Sequence, residues 1–188
     1  MKNLALFASG NGTNVQRIAE YFADSPNIRI KLIVSNNAQA YVLERAKKLG
    51  IASYLIRNKD EFYNSDAVLE MLQQNSIDFI VLAGFLWLIP YPIIEAFSNR
   101  IINIHPALLP KYGGKGMYGR HVHEAVVANK EPESGITIHY VNQHYDEGKI
   151  IFQAKCALSP EDTPEMVAQK VHALEYEYFP KIIEQEIL

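Results

Sequence analysis

The sequence is poor in cysteine, in one-sided charge and in long apolar runs. Cys156 is its only cysteine, so no internal disulfide and no cysteine zinc cluster can form. Eighteen Lys and Arg against 21 Asp and Glu leave a net charge of -3. That balance argues against a bulk nucleic-acid or membrane-surface binder. No apolar run reaches the roughly 20 residues of a membrane-spanning helix. The N-terminus enters almost directly into a strand-like run, Asn3 to Ser9, without the features of a signal peptide. A reducing, cytoplasmic setting is therefore expected. What is present is globular: 188 residues, 48% hydrophobic and 21% charged. This length suits one domain over 1–188 and buries about 70% of the unfolded chain's surface. No repeat, low-complexity stretch or linker interrupts it.

Strand and helix patterns alternate through the first hundred residues. Leu4 to Ala8 is a continuous apolar run, as a strand covered on both faces requires. Val15, Ile18, Ala19 and Phe22 recur at helical spacing. Ile28 to Val34 reads as a strand, and Val42, Ala46 and Leu49 as a helix closed by Gly50. Tyr54 to Ile56, Phe79 to Ala83 and Ile101 to Ile104 read as further strands, with a helix at Val68, Met71 and Leu72. This rhythm predicts an α/β, Rossmann-like, mostly parallel sheet with helices on both faces. Mixed strands are expected towards the C-terminal half. There Ile136, Ile138 and Tyr140 alternate with Thr137 and His139, which predicts a half-exposed strand. Gly148 before Ile150 to Phe152 suggests a hairpin. Thr163, Pro164 and Glu165 open a last helix that Pro180 should end or kink.

Three segments can carry chemistry. Ser9-Gly10-Asn11-Gly12-Thr13-Asn14 joins the first strand to the first helix, where backbone N–H groups and the helix dipole favour an anion such as phosphate. It is neither a Walker A loop nor a dinucleotide fingerprint; the bland alternative is a tight turn. Asn103-Ile104-His105-Pro106 ends a strand at the edge where open sheets bind ligands. Asn103 and His105, at i and i+2, share a face; one can steady an oxyanion and the other can move a proton. Alone, such a pair is more often structural. Asp146-Glu147-Gly148 could charge-stabilise a histidine or simply form a turn. His121 and His123 diverge on a helix and do not make a metal pair. Lys111, Lys115 and Arg120 form a modest cationic group.

Taken together, these residues resemble the folate-dependent phosphoribosylglycinamide formyltransferase family, end to end. The carriers are the turn at Ser9–Asn14, Leu82-Ala83-Gly84-Phe85, the block Asn103-Ile104-His105-Pro106-Ala107-Leu108-Leu109-Pro110-Lys111-Tyr112, Asp146-x-Gly148, and Glu175 before Pro180. The resemblance implies transfer of the formyl group of 10-formyltetrahydrofolate, as co-substrate and without metal, to the amine of 5-phosphoribosylglycinamide in purine synthesis. It implies Asn103, His105 and Asp146 as the catalytic trio, with Asp146 raising the pKa of His105. Gly12, Thr13 and Asn14 would hold the acceptor phosphate, and Glu175 and His172 the rest of that substrate. Leu86, Trp87, Leu88, Ile89, Asn103 and the segment Tyr140, Val141, Asn142, Gln143, His144 and Tyr145 would line the folate site, with Lys59 nearby. Partners would be small molecules only, with the chain a monomer or homodimer.

Several positions depart from the family pattern. Trp87 and Lys59 stand where Arg is common, Ala107 where Ser is common, and Glu147 where Gly is common. The rival readings are a formyltetrahydrofolate deformylase, which usually carries an extra N-terminal domain, and a non-catalytic phosphate-binding module. A methionyl-tRNA formyltransferase would carry a C-terminal RNA-binding domain.

Overall fold

The computed structural model describes residues 1–188. Seven strands form one sheet: β1 (Lys2–Phe7), β2 (Ile28–Ser35), β3 (Ala52–Leu55), β4 (Phe79–Leu82), β5 (Ile101–His105), β6 (Glu133–Tyr140) and β7 (Ile150–Ala157). Their order is β3-β2-β1-β4-β5-β6-β7. The first five strands run parallel, and β6 and β7 are antiparallel additions. The mixed sheet therefore lies in the C-terminal half, as the sequence implies.

The apolar runs of β1 and β4 have a direct cause. Leu4 and Leu6 point into one core, and Ala5 and Phe7 into the other. The first core is covered by α1 (Thr13–Tyr21), α2 (Val42–Leu49), α6 (Arg120–Ala128) and α7 (Pro164–Ile187). The second is covered by α3 (Lys59–Tyr63), α4 (Ala67–Gln74) and α5 (Tyr91–Ala96). With both faces dry, neither strand can alternate with polar residues. The chain steps outward from β1 to β3 and then crosses back to β4. This leaves a switch point between β1 and β4, where the following loops diverge and open a crevice. No helix is long and apolar enough to cross a membrane.

Two local expectations need correction. Strand β6 is buried on both faces, with Thr137 0% and His139 2% exposed. Thr137 Oγ1 donates to the Ala107 carbonyl at 2.7 Å and accepts from Leu109 N–H and Gln153 Nε2. The polar positions of this strand thus face satisfied polar partners instead of water. Second, Pro180 does not end α7, which runs on to Ile187. Proline cannot donate to the Tyr176 carbonyl, and Arg17 Nε takes that carbonyl at 3.2 Å instead. Helices α3 and α5, five and six residues long, are additions to the elements read from the sequence. Thr163 caps α7 through Met166 N–H, and Gly50 closes α2 in a left-handed conformation, φ 67°.

Candidate active site

The crevice at the switch point holds a cavity of about 740 Å³. One wall is the turn Gly10–Asn14. Gly12 caps α1 with φ 76° and provides no side-chain acceptor for the helix N–H groups. Beside it Asn14 Nδ2 donates to Glu175 Oε2 at 2.8 Å, and His172 faces the same space from α7. Glu175 is only 6% exposed. Burial pushes its carboxyl above the usual range, opposed by the Asn14 hydrogen bond and the charge of His172.

The other wall follows β4. Edge-to-face contacts run from the core, Phe7 to Phe85 to Phe62, and Phe62 meets Trp87 on the cavity with its ring tilted by 42°. Lys59, the first residue of α3, lies with Nζ 6.0 Å from the Trp87 ring. Leu86 and Tyr145 complete this side. Ser9 ties the two walls together. Its hydroxyl donates to Asn36 Oδ1 at 2.6 Å and accepts the Leu86 N–H at 2.9 Å.

Asn103, His105 and Asp146 meet between the walls. His105 Nδ1 lies 3.5 Å from Asp146 Oδ2, and its Nε2 is 2.7 Å from the Tyr112 carbonyl. Asn103 Nδ2 is 3.5 Å from Asp146 Oδ1 and 3.1 Å from His139 Nε2. Asp146 has φ 56° and also accepts the Gly114 N–H at 3.0 Å. Both nitrogens of His105 thus face acceptors, which favours the doubly protonated ring. Burial opposes this and prevails, leaving the His105 pKa below that of a free histidine despite Asp146 and Tyr112. The expected effect of Asp146 is present but outweighed. Asp146 does pull the value upward, yet a ring 4% exposed is penalised more for carrying charge. Burial raises the Asp146 carboxyl, but the His139 contact, the His105 charge and the Gly114 N–H outweigh it and hold it below the usual range.

The remaining sequence candidates lie outside the cavity lining. The Leu88 carbonyl accepts from Tyr63 Oη at 3.0 Å, and Ile89 is 3% exposed in the second core. Tyr140 donates to Glu186 on α7, and Val141 packs against the second core. Asn142 caps the His144 N–H at 2.9 Å, and Gln143 and His144 are exposed on the loop before Tyr145. Of the cationic group, Lys115 lines the cavity, while Lys111 pairs with Glu131 and Arg120 with Glu124 and Glu165.

Two further histidines reach the site and are not among the residues the sequence marks for it. His139 stands opposite Asn103 in the β5–β6 register and donates from Nδ1 to the Tyr140 carbonyl at 2.9 Å. Its Nε2 lies between the Asn103 amide at 3.1 Å and Asp146 Oδ1 at 3.6 Å. The polar face of the alternating β6 pattern is the signal for it. His123 lines the cavity at 4% exposure with Nδ1 unpartnered. Burial, then the charges of His172 and His105, lower its pKa to about 4.

A doubly wound α/β sheet whose switch point opens on a glycine turn, an Asn–His–Asp cluster and an aromatic wall has the layout of an enzyme site with two ligand walls. Comparison with known proteins narrows the class. A profile described as formyl transferase matches residues 2–183. An Arabidopsis thaliana protein, named phosphoribosylglycinamide formyltransferase, chloroplastic, is 38% identical over 97% of this chain and 64% of its own. A Haemophilus influenzae phosphoribosylglycinamide formyltransferase is 37% identical over 97% of this chain and 86% of its own. The crystal structure of glycinamide ribonucleotide transformylase 1 from Geobacillus kaustophilus superposes with TM-score 0.90 at 32% identity, covering all of both chains. The chain spans less than two thirds of the length of the plant relatives it matches. It belongs to the formyl transferase family.

Proposed function

We propose that residues 1–188 form one enzymatic domain, acting in the cytoplasm, that transfers the formyl group of 10-formyltetrahydrofolate to the amine of 5-phosphoribosylglycinamide. The observation that carries this reading is the convergence of Asn103, His105 and Asp146 in one cavity, between a turn suited to phosphate and an aromatic wall with a lysine. The chain's residues fit the donor. Trp87 presents a flat apolar face with the Lys59 charge beside it, which suits a heterocycle carrying carboxylates. The cavity size falls in the range of small-molecule sites.

When bound, 10-formyltetrahydrofolate supplies the formyl carbon as electrophile. The acceptor amine is itself a good nucleophile when neutral, so the protein need not provide one. Its task is alignment and charge. Gly12, Thr13 and Asn14 hold the acceptor phosphate, and the Glu175 carboxylate and His172 receive the polar part of that substrate. Holding both reactants in one cavity removes several kcal/mol of the barrier. Asn103 Nδ2 donates to the formyl oxygen as negative charge gathers there, and a protonated His105 ring, held between Asp146 and the Tyr112 carbonyl, stabilises that charge from beside it. Asp146 stabilises the proton on His105, and as the bond between the formyl carbon and the folate nitrogen breaks, the proton lost by the attacking amine passes to that nitrogen directly or through water. His139 packs its Nε2 against both Asn103 and Asp146 and so helps to hold the trio together.

The test is loss of formyl donor by the purified chain with and without acceptor. Turnover should require the acceptor, and His105→Ala should fold normally and lose nearly all of it. Acceptor-independent hydrolysis at the same rate, or an active His105→Ala, would overturn the reading.

A further inference from the structure

Helix α2 begins against the outer side of the Gly10–Asn14 turn. Val42 N–H donates to the Gly10 carbonyl at 3.1 Å. One turn later Arg45 Nε donates to the Asn11 carbonyl at 2.8 Å, and Nη2 to the Asn11 carboxamide oxygen at 2.5 Å. Its remaining nitrogen donates to Gln16 Oε1 on α1, and the guanidinium lies 4.9 Å from the centre of the Tyr41 ring. Arg45 does not line the cavity. It grips the turn from behind.

Two consecutive carbonyls of the turn, those of Gly10 and Asn11, therefore point to α2 and are satisfied there. A short turn that presents its carbonyls outward leaves its N–H groups to face inward. The first-turn N–H groups of α1 have no intrahelical partners, and Gly12 brings no side-chain cap that would occupy them. Without Arg45 the Asn11 peptide loses its charge-assisted anchor and can rotate its carbonyl towards the cavity, where it would repel an anion. A planar fork fixed on three sides by Asn11, Gln16 and Tyr41 is a function that lysine cannot reproduce.

We infer that Arg45 is a positioning residue for the acceptor phosphate, holding the Asn11 carbonyl and carboxamide against α2 so that the N–H groups of the turn stay aimed into the cavity. This rests on the reading that the acceptor phosphate binds at the turn.

The experiment compares 5-phosphoribosylglycinamide with its dephosphorylated counterpart as acceptors for the purified wild-type, Arg45→Met and Arg45→Lys proteins, each checked for folding by circular dichroism. The wild type should prefer the phosphorylated acceptor in kcat/KM. In Arg45→Met that preference should fall about tenfold or more, the loss expected for a charge-assisted hydrogen bond. The fall should appear in the KM of the phosphorylated acceptor, with the folate KM unmoved. Arg45→Lys should recover only a minor part of the preference. An unchanged preference in Arg45→Met overturns the inference while leaving the acceptor reading intact. So does an equal loss on both acceptors, which would mark a merely structural role, or full recovery in Arg45→Lys, which would mark charge alone. A wild type that does not discriminate between the acceptors overturns the acceptor reading and this inference with it. Should Arg45→Met fail to fold, the preference of Arg45→Lys decides: a wild-type preference refutes positioning, and a reduced one supports it.

Discussion

Adding one methyl group at Gly12 should damage both stability and acceptor binding, and the structure gives the size of the effect. Gly12 has φ 76°, and a Cβ there would lie 2.4 Å from Val42 Cγ2 and 2.6 Å from Val42 Cβ. Val42 is fully buried beneath the turn and cannot swing aside. A non-glycine residue in the left-handed region costs about 1–2 kcal/mol. Forcing an extra methyl into a packed site costs about 1–3 kcal/mol more. Reduced freedom of the unfolded chain returns about 0.4–1 kcal/mol. Gly12→Ala should therefore lose about 1–4.5 kcal/mol, or roughly 2–18 °C in Tm for a chain of this size. Gly50 provides the internal control. It has φ 67°, but nothing lies within 4 Å of the position its Cβ would take. Gly50→Ala should show the conformational cost alone, about 1–2 kcal/mol before the same offset. Thermal unfolding of the two variants, followed by circular dichroism, isolates the Val42 contact as their difference. Steady-state assays of Gly12→Ala should also show a raised acceptor KM with the folate KM nearly unchanged. Equal Tm losses for the two variants would refute the claim that the turn is packed tightly on Val42.

Two further outcomes follow from the charge states of the site. Asp146→Asn removes the carboxylate that pulls the His105 pKa upward and leaves burial unopposed by it. The imidazole titration, followed by NMR, should move to lower pH and kcat should fall about 10²–10³-fold; an unmoved titration would make Asp146 a turn residue only. His123, held at about pH 4 in the fold, takes its proton in the unfolded chain first, near 6.5. The fold is therefore unpenalised above about pH 6.5 and loses stability as the pH falls towards 4. The loss should reach about 2 kcal/mol between pH 7 and 5. In urea unfolding His123→Leu should abolish that increment, and a variant with the wild-type pH dependence would show that His123 is not the group responsible.

The parts of this fold that are legible in the sequence are those where one local rule acts unopposed. Strands β1 and β4 read as uniform apolar runs because helices cover both faces. Gly50 and Thr163 mark helix ends because capping is a local matter. The misreadings arise where a distant residue changes what the local rule means. The alternation in β6 normally signals a wet face, but Thr137 finds Ala107, Leu109 and Gln153, and His139 finds Asn103. Pro180 breaks a hydrogen bond that Arg17, more than 150 residues earlier, takes over. Helices of five and six residues, such as α3 and α5, are too short to express a 3.6-residue period.

The site divides in the same way, and the division has a chemical consequence. Asn103 and His105 share a strand face, so their meeting can be read from spacing alone. Whether His105 carries a proton cannot, because its charge depends on how much water reaches it. A histidine beside an aspartate in an open cleft would have its pKa raised. Here the same pair is buried and the ring is held below its ordinary pKa. Yet both ring nitrogens face acceptors, Asp146 Oδ2 and the Tyr112 carbonyl, so the neutral ring leaves one nitrogen lone pair turned on an acceptor. Negative charge gathering at the reacting oxygen relieves that mismatch by making the protonated ring favourable. The proton then arrives when the charge does, and Asp146 has its largest effect at that moment. In the proposed transfer, tight packing around His105 thus disfavours its charge at rest and directs its stabilising effect to the transition state.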